Sequence, residues 1–231
     1  MIALSVIVPT LNEADSIVAH LSALQVLRQR GSELIVVDGG SSDETPTLAA
    51  RLADVVISAR RGRAAQMNAG ACRADGEILL FLHADTRLPA NADLLLNNAL
   101  ADPSRVWGRF DVAIEGRHPL LRLIAWSMNR RSRLTGIATG DQAIFVRRRA
   151  FTGVGGFPEL PLMEDIALSR SLKGLGRPLC LSERVFTSGR RWEQHGILRT
   201  IVLMWRLRAG FWFGVNPGRL ARAYAASSSN R

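Results

Sequence analysis

The chain has 231 residues, a hydrophobic content of 47% and a formal net charge of +10 carried almost wholly by arginine. That length suits one α/β domain with a C-terminal appendage, and the hydrophobic content excludes a mainly disordered chain. The charge favours anionic partners (nucleotide phosphates, nucleic acid or an anionic membrane surface) without choosing among them, and no run approaches the ~18 apolar residues of a membrane span.

In chain order, Ala3 to Val8 reads as a β-branched strand stopped by Pro9, and Thr10-Leu11-Asn12-Glu13 feeds a helix. Asn12 with Asp15 resembles a capping box; Ile17, Val18, Leu21 and Leu24 supply an apolar stripe, and Gly31 ends the helix. Leu34 to Val37 is a second buried strand, ending in Asp38-Gly39-Gly40-Ser41-Ser42-Asp43, where small residues and a cap announce another helix. Val55-Val56-Ile57 makes a third short strand, and Arg60-Arg61-Gly62-Arg63 leads into Ala64 to Gly70 before the strand that ends at Asp85. Ile78 to Leu82 is an unbroken apolar run, as expected of a parallel strand covered on both faces, and it ends in His83-Ala84-Asp85. This alternation predicts an α/β fold with a mostly parallel, doubly wound sheet. Ligands bind outside the carboxyl ends of such strands, so Asp85 with its neighbour His83 is a candidate for holding a metal or a phosphate-bearing substrate. A loop Asp capping the next helix fits the same position.

After Pro89 the pattern loosens. A helix is expected near Ala92 to Leu100, a strand from Trp107 to Ile114, a helix from Leu120 to Met128 and a strand over Ala143 to Val146, behind Gly140-Asp141-Gln142. Gly153 to Pro158 is a turn-rich connection. Glu164 and Asp165 then fall in the first turn of a helix carrying Ile166, Leu168, Leu172 and Leu175, where the helix dipole favours anions. Cys72 and Cys180 lack metal-type spacing, and Met1 to Thr10 has no basic region before its apolar run, so a reduced, cytoplasmic protein is expected.

Ile197 to Val215 carries Trp205 and Trp212 among aliphatic residues and is interrupted by Arg199, Arg206 and Arg208. It is expected as an amphipathic helical segment over 196–224. Its stripe of Leu198, Ile201, Trp205 and Trp212 has two readings: a peripheral contact with an anionic membrane, or packing on the sheet or on a second subunit in a homodimer. Residues 225–231, rich in Ser, are expected to be disordered.

Taken together, Val8-Pro9-Thr10-Leu11-Asn12-Glu13, Val37 to Asp43, His83-Ala84-Asp85 and Glu164-Asp165 lie at strand ends or helix starts in an order that resembles the family 2 glycosyltransferases. Gly140-Asp141-Gln142 and Arg190-Arg191-Trp192 add to the match, which covers about residues 2 to 195. The resemblance implies a GT-A nucleotide-sugar-binding domain over 1–195, with a nucleotide half at about 1–88 and an acceptor half at about 89–195. It implies that Pro9, Thr10, Glu13, Asp38 and Ala84 line the donor pocket, that Arg63 meets the base or diphosphate, and that Asp85 binds the diphosphate through a divalent cation, Mg²⁺ or Mn²⁺. Gly140, Asp141 and Trp192 would face the acceptor. Asp165, beside Glu164, would be the base of an inverting sugar transfer to a hydroxyl, with Arg190 and Arg191 as phosphate partners. This chain departs from the family in having His83 where the first acid of Asp-x-Asp stands. One carboxylate suffices for a hard cation that also takes phosphate oxygens and water, and His195, or less favourably His83, is the candidate second ligand.

Two other classes fit less well. A nucleotidyltransferase would be expected to carry a Gly-rich phosphate loop after its first strand, and Pro9-Thr10-Leu11-Asn12 is not Gly-rich. A nucleic-acid-binding protein would interleave its basic residues with aromatic ones, whereas here the arginines are scattered and Tyr224 is the only tyrosine, so no nucleic-acid partner is expected.

Overall fold

A computed structural model describes residues 3–229, without the side chains of residues 191 and 227–229. Strands β1 (Leu4–Thr10), β2 (Glu33–Asp38), β3 (Val55–Ser58) and β4 (Ile78–Phe81) lie side by side in the order β3-β2-β1-β4, all parallel. Between them run α1 (Ala14–Gln29), α2 (Thr45–Ala49) and α3 (Arg63–Arg73). The strands are apolar throughout because both faces are covered. Val6 and Val8 of β1 point into one core with Ile17, Leu21 and Leu24 of α1, while Ile7 joins Met67 and Ala71 of α3 in the other. Gly70 lets α3 lie directly on β1, since a Cβ there would stand 2.5 Å from a methyl of Ile7.

The remaining strands extend the sheet into a mixed one of eight. Two of the added strands are β6 (Trp107–Glu115) and β7 (Phe145–Arg147), and β7 pairs antiparallel with both β4 and β6. Further out, β8 (Leu179–Ser188) pairs parallel with β6, and β5 (Thr86–Arg87) closes the edge antiparallel to β8. Helices α4 (Ala92–Ala99), α5 (Leu120–Thr135), α6 (Arg148–Gly153), α7 (Glu164–Lys173) and α8 (Arg190–His195) fill the second half. Helices α9 (Ile197–Trp212) and α10 (Pro217–Ser229) fold back onto α7 through a small core of Met163, Ile166, Leu207 and Leu220.

Three expectations change. The capping box at α1 is absent: Asn12 has a left-handed backbone (φ 54°) and its side-chain oxygen accepts the Ser42 N–H at 2.8 Å. The start of α1 is capped instead from the neighbouring loop, where the Thr45 hydroxyl accepts the Glu13 N–H and Asp43 accepts the Ala14 N–H. The C-terminal segment is two helices, and α10 takes in residues 225–229 of the stretch expected to be disordered, while residues 230 and 231 lie outside the described residues. Strand β8 was not anticipated, because Ser182, Glu183 and Arg184 interrupt its apolar pattern where its register with β6 shifts.

Candidate active site

The sheet order reverses at β1, with β2 on one side and β4 on the other, so a crevice opens beyond the carboxyl ends of these strands. Pro9, Thr10, Leu11 and Glu13 from the end of β1 and His83, Ala84 and Asp85 from the end of β4 line one cavity there, with Arg61, Gly62, Arg63 and Gln66 from the start of α3. A second cavity, of about 190 Å³, lies toward the second half of the chain. Its walls include Gly140 and Asp141 from the turn before β7, Glu164 and Asp165 from α7, Trp192 from α8 and Arg208 from α9. Arg63, His83 and Asp85 belong to both cavities and form the seam between them.

The β1 end of the crevice is tied to β2 by a residue not anticipated from sequence. Gln66, buried on α3, donates to the carbonyls of Thr10 and Val37, both at 2.8 Å. Asp38 pairs in register with Thr10, yet its carboxylate turns back to accept the N–H groups of Gly40 and Ser41, each at 2.9 Å. It shapes the loop and is not among the residues lining either cavity.

At the seam, the imidazole of His83 is nearly buried and its Nδ1 lies 3.4 Å from Asp141 Oδ1. Gly140 permits this approach: a Cβ there would come within 2.4 Å of His83 Nε2. The turn Gly140–Gln142 is fixed by a capping box between Thr139 and Gln142, and by Asp165, whose Oδ2 accepts the Gly140 N–H at 2.8 Å. Asp165 Oδ1 accepts the N–H of Ile166 at 2.7 Å. The two carboxylates that follow Met163 therefore differ. Glu164 is buried, and burial together with the adjacent Asp165 raises its pKa, against the pull of Arg63. Asp165 is half-buried and faces the cavity, held by backbone donors. Burial alone would raise the pKa of Asp141, but the nearby His83 and the charges of Arg63 and Arg208 hold it below the usual value.

Among the described residues no three His, Cys, Asp or Glu side chains form a cluster able to hold a metal ion. The donor set still suits a cation completed by substrate. Asp85 is exposed at the seam, where it accepts only a long 3.4 Å bond from the Thr86 hydroxyl among the described residues, and an oxygen donor beside imidazole matches Mg²⁺ or Mn²⁺ with phosphate and water as further ligands. His195, at the end of α8, lines neither cavity, so of the two candidate histidines only His83 is placed beside Asp85. Arg190 is exposed on α8 and also lines neither cavity, while the side chain of Arg191 lies outside the described residues.

Two cations were unforeseen as site residues. Arg208 contributes to the wall of the second cavity, and Arg131 of α5 is close enough to repel it. Burial and that repulsion draw the Arg131 pKa down to about 10, and burial lowers that of Arg208 against the attraction of Asp165 and Asp141. The signal for Arg131 was faint, an arginine at the polar end of an amphipathic pattern; that for Arg208 was its position close to an apolar stripe.

The sequence profile of the family described as Glycosyl transferase family 2 matches residues 5–154. An uncharacterized glycosyltransferase of Mycobacterium tuberculosis (strain ATCC 25618 / H37Rv) is 37% identical over 89 residues, which is 38% of this chain and 39% of the relative. The poly-beta-1,6-N-acetyl-D-glucosamine synthase of Staphylococcus aureus (strain MSSA476) is 26% identical over 178 residues, 70% of this chain and 43% of the relative. The chain thus matches less than half the length of these curated relatives. A mannosyltransferase of Pyrobaculum calidifontis, solved in complex with GDP-Man and Mn²⁺, superposes with a TM-score of 0.65 at 22% identity, covering 98% of this chain and 70% of that one.

Proposed function

The chain belongs to glycosyltransferase family 2, and from that premise we propose that it transfers a sugar from a nucleoside-diphosphate donor to a hydroxyl acceptor with inversion at the anomeric carbon. The observation that carries this reading is the pair of cavities meeting at Arg63, His83 and Asp85. One cavity is built from strand ends of the parallel half, where nucleotides bind in such sheets. The other presents Asp165 to whatever enters from the opposite side.

In this assignment Pro9, Thr10, Glu13 and Ala84 wall the donor, and Arg63 lies where the diphosphate would pass between the cavities. Asp85, with His83 beside it, would hold a divalent cation, which supplies positive charge to the departing diphosphate. The acceptor hydroxyl oxygen bonds to the anomeric carbon as the bond to the diphosphate oxygen breaks and its electron pair leaves with the diphosphate. The hydroxyl proton goes to Asp165. Each of its oxygens accepts one backbone N–H and retains a second lone pair, so the group is oriented without being blocked. Trp192, half-buried in the same wall, offers a flat apolar face to the acceptor. Turnover of a donor panel including UDP-GlcNAc and GDP-mannose, with Mn²⁺ or Mg²⁺, tests the assignment. Release of nucleoside diphosphate from at least one donor supports it, and release from none across the panel counts against it.

The acceptor is proposed to sit at a membrane surface. Along α9, Leu198, Val202, Trp205 and Trp212 are 71%, 54%, 69% and 71% exposed, and Phe213 follows at 83%. Arg199 and Arg206 are exposed on the same helix, an arrangement suited to an anionic interface. Ile201, expected on that stripe, is half-buried against the core, while Arg208 turns to the cavity. No helix among the described residues is long and apolar enough to cross a membrane.

A further inference from the structure

We propose that Arg208 and Arg131 form a binding site for an anionic group, a phosphate or carboxylate, carried by the acceptor next to the hydroxyl it offers. This rests on the sugar-transfer reading and narrows its substrate class. Buried guanidinium nitrogens ordinarily have hydrogen-bond partners, because an unsatisfied buried charge is costly. Here Nε of Arg208 and both Nε and Nη2 of Arg131 are buried with none among the described residues. Neither arginine makes an ion pair within 4 Å among those residues, although Asp141 and Asp165 are near enough to attract both. Asp165 is already engaged by the N–H groups of Gly140 and Ile166, and Asp141 turns toward His83, whose Nδ1 is 3.4 Å away.

Two like charges brought together without partners are explained by an anion that binds between or in front of them. Arg109, the other buried arginine nearby, shows the contrast. It is fully buried and donates to Ser132, to the Asn129 carbonyl and to Asp111. The position of Arg208 identifies the anion's source. It lies in the wall with Asp165, Glu164 and Trp192 and is not among the residues of the donor cavity, whereas Arg63, assigned above to the diphosphate, belongs to both cavities. A guanidinium in that wall would fix a phosphate or carboxylate with two parallel N–H bonds and so hold the acceptor hydroxyl toward Asp165.

The test uses the full chain and three measurements on wild type and Arg208→Gln. Calorimetric titration with inorganic phosphate is expected to show binding that falls about tenfold or more in the variant, the loss that follows from removing charge-assisted hydrogen bonds. UDP affinity in the presence of Mn²⁺ is expected to change little. With a donor that turns over, glycerol phosphate is expected to accelerate nucleoside-diphosphate release by wild type more than glycerol does. The inference is overturned if phosphate binds both proteins equally or neither, or if phosphorylated and plain polyols act alike. A large loss of UDP affinity with phosphate binding unchanged would assign Arg208 to the donor diphosphate and also overturn it. These outcomes are separable from failure of sugar transfer itself, which would show as absence of donor turnover by wild type under all conditions. Should Arg208→Gln not fold, Arg131→Gln gives the same comparison.

Discussion

Replacing Asp165 by Asn separates its proposed chemistry from its structural part. The carboxylate accepts two backbone N–H groups, from Gly140 at 2.8 Å and Ile166 at 2.7 Å. An amide of the same shape offers one oxygen, so one of these donors would face an NH₂ group. Losing a hydrogen bond to a charged acceptor costs about 1.5–3 kcal/mol. For a domain of this size that lowers Tm by about 3–12 °C, which leaves the variant folded at 25 °C. The catalytic loss is expected to be larger. An amide cannot take the acceptor proton, and general-base loss lowers turnover by ~10²–10⁴, or about 3–5 kcal/mol of barrier. Because Asp165 is not among the donor-cavity residues, UDP affinity with Mn²⁺ should stay near that of wild type. Thermal unfolding, UDP titration and donor turnover on one preparation distinguish the two effects. A folded Asp165→Asn that turns over donor like wild type would refute the assignment of the base.

Asp85→Ala should abolish the Mn²⁺-dependent part of UDP binding, and excess chelator should reduce wild type to the same level, both read by calorimetry. Gly140→Ala would drive a methyl into His83, from which a Cβ is only 2.4 Å away, so a loss of turnover with about 1–3 kcal/mol of destabilisation is expected. His20 is buried in α1, and burial lowers its pKa from 6.5 to about 4. Its folded pKa lies below the unfolded one, so the unfolded chain binds the proton first. Proton linkage at His20 therefore takes nothing from stability above pH 6.5, and about 3 kcal/mol is lost as pH falls from there toward 4. Denaturant titrations of wild type and His20→Leu should show that acid slope flattened in the variant. Co-sedimentation with vesicles containing phosphatidylserine should capture the chain at low salt and lose it in Trp205→Ser/Trp212→Ser; equal pelleting of both, or of neither, would remove the membrane-surface reading.

Much of the parallel half was legible because its signals are local. The strands are covered on both faces and so appear as largely apolar runs; Thr10 and Asp38 close β1 and β2, and Asp85 lies four residues beyond β4. The adjacent acids Glu164 and Asp165 could likewise be placed in a first turn from periodicity. What sequence could not supply was set by contacts between distant segments. Gln66 shows as a functional support only once α3 lies across β1 and β2. The caps of α1 come from Asp43 and Thr45, about 30 residues further along the chain, so the local Asn12 and Asp15 pattern misled. Arg208 has the spacing of a surface residue on an amphipathic helix, and only the return of α9 over α7 turns it into the cavity wall. His83 is met by Asp141 from a turn 58 positions later, a pairing that no spacing rule anticipates.

The stereochemistry of transfer tests the central claim most directly. With a donor that the chain turns over, proton NMR recorded from the first seconds identifies the anomer of the sugar delivered to a hydroxyl or, without acceptor, to water. Direct attack assisted by Asp165 predicts that the product first appears with the configuration opposite to that of the donor. Initial product of the same configuration would contradict the account, because it requires either an enzyme-bound sugar or attack from the face of the leaving diphosphate.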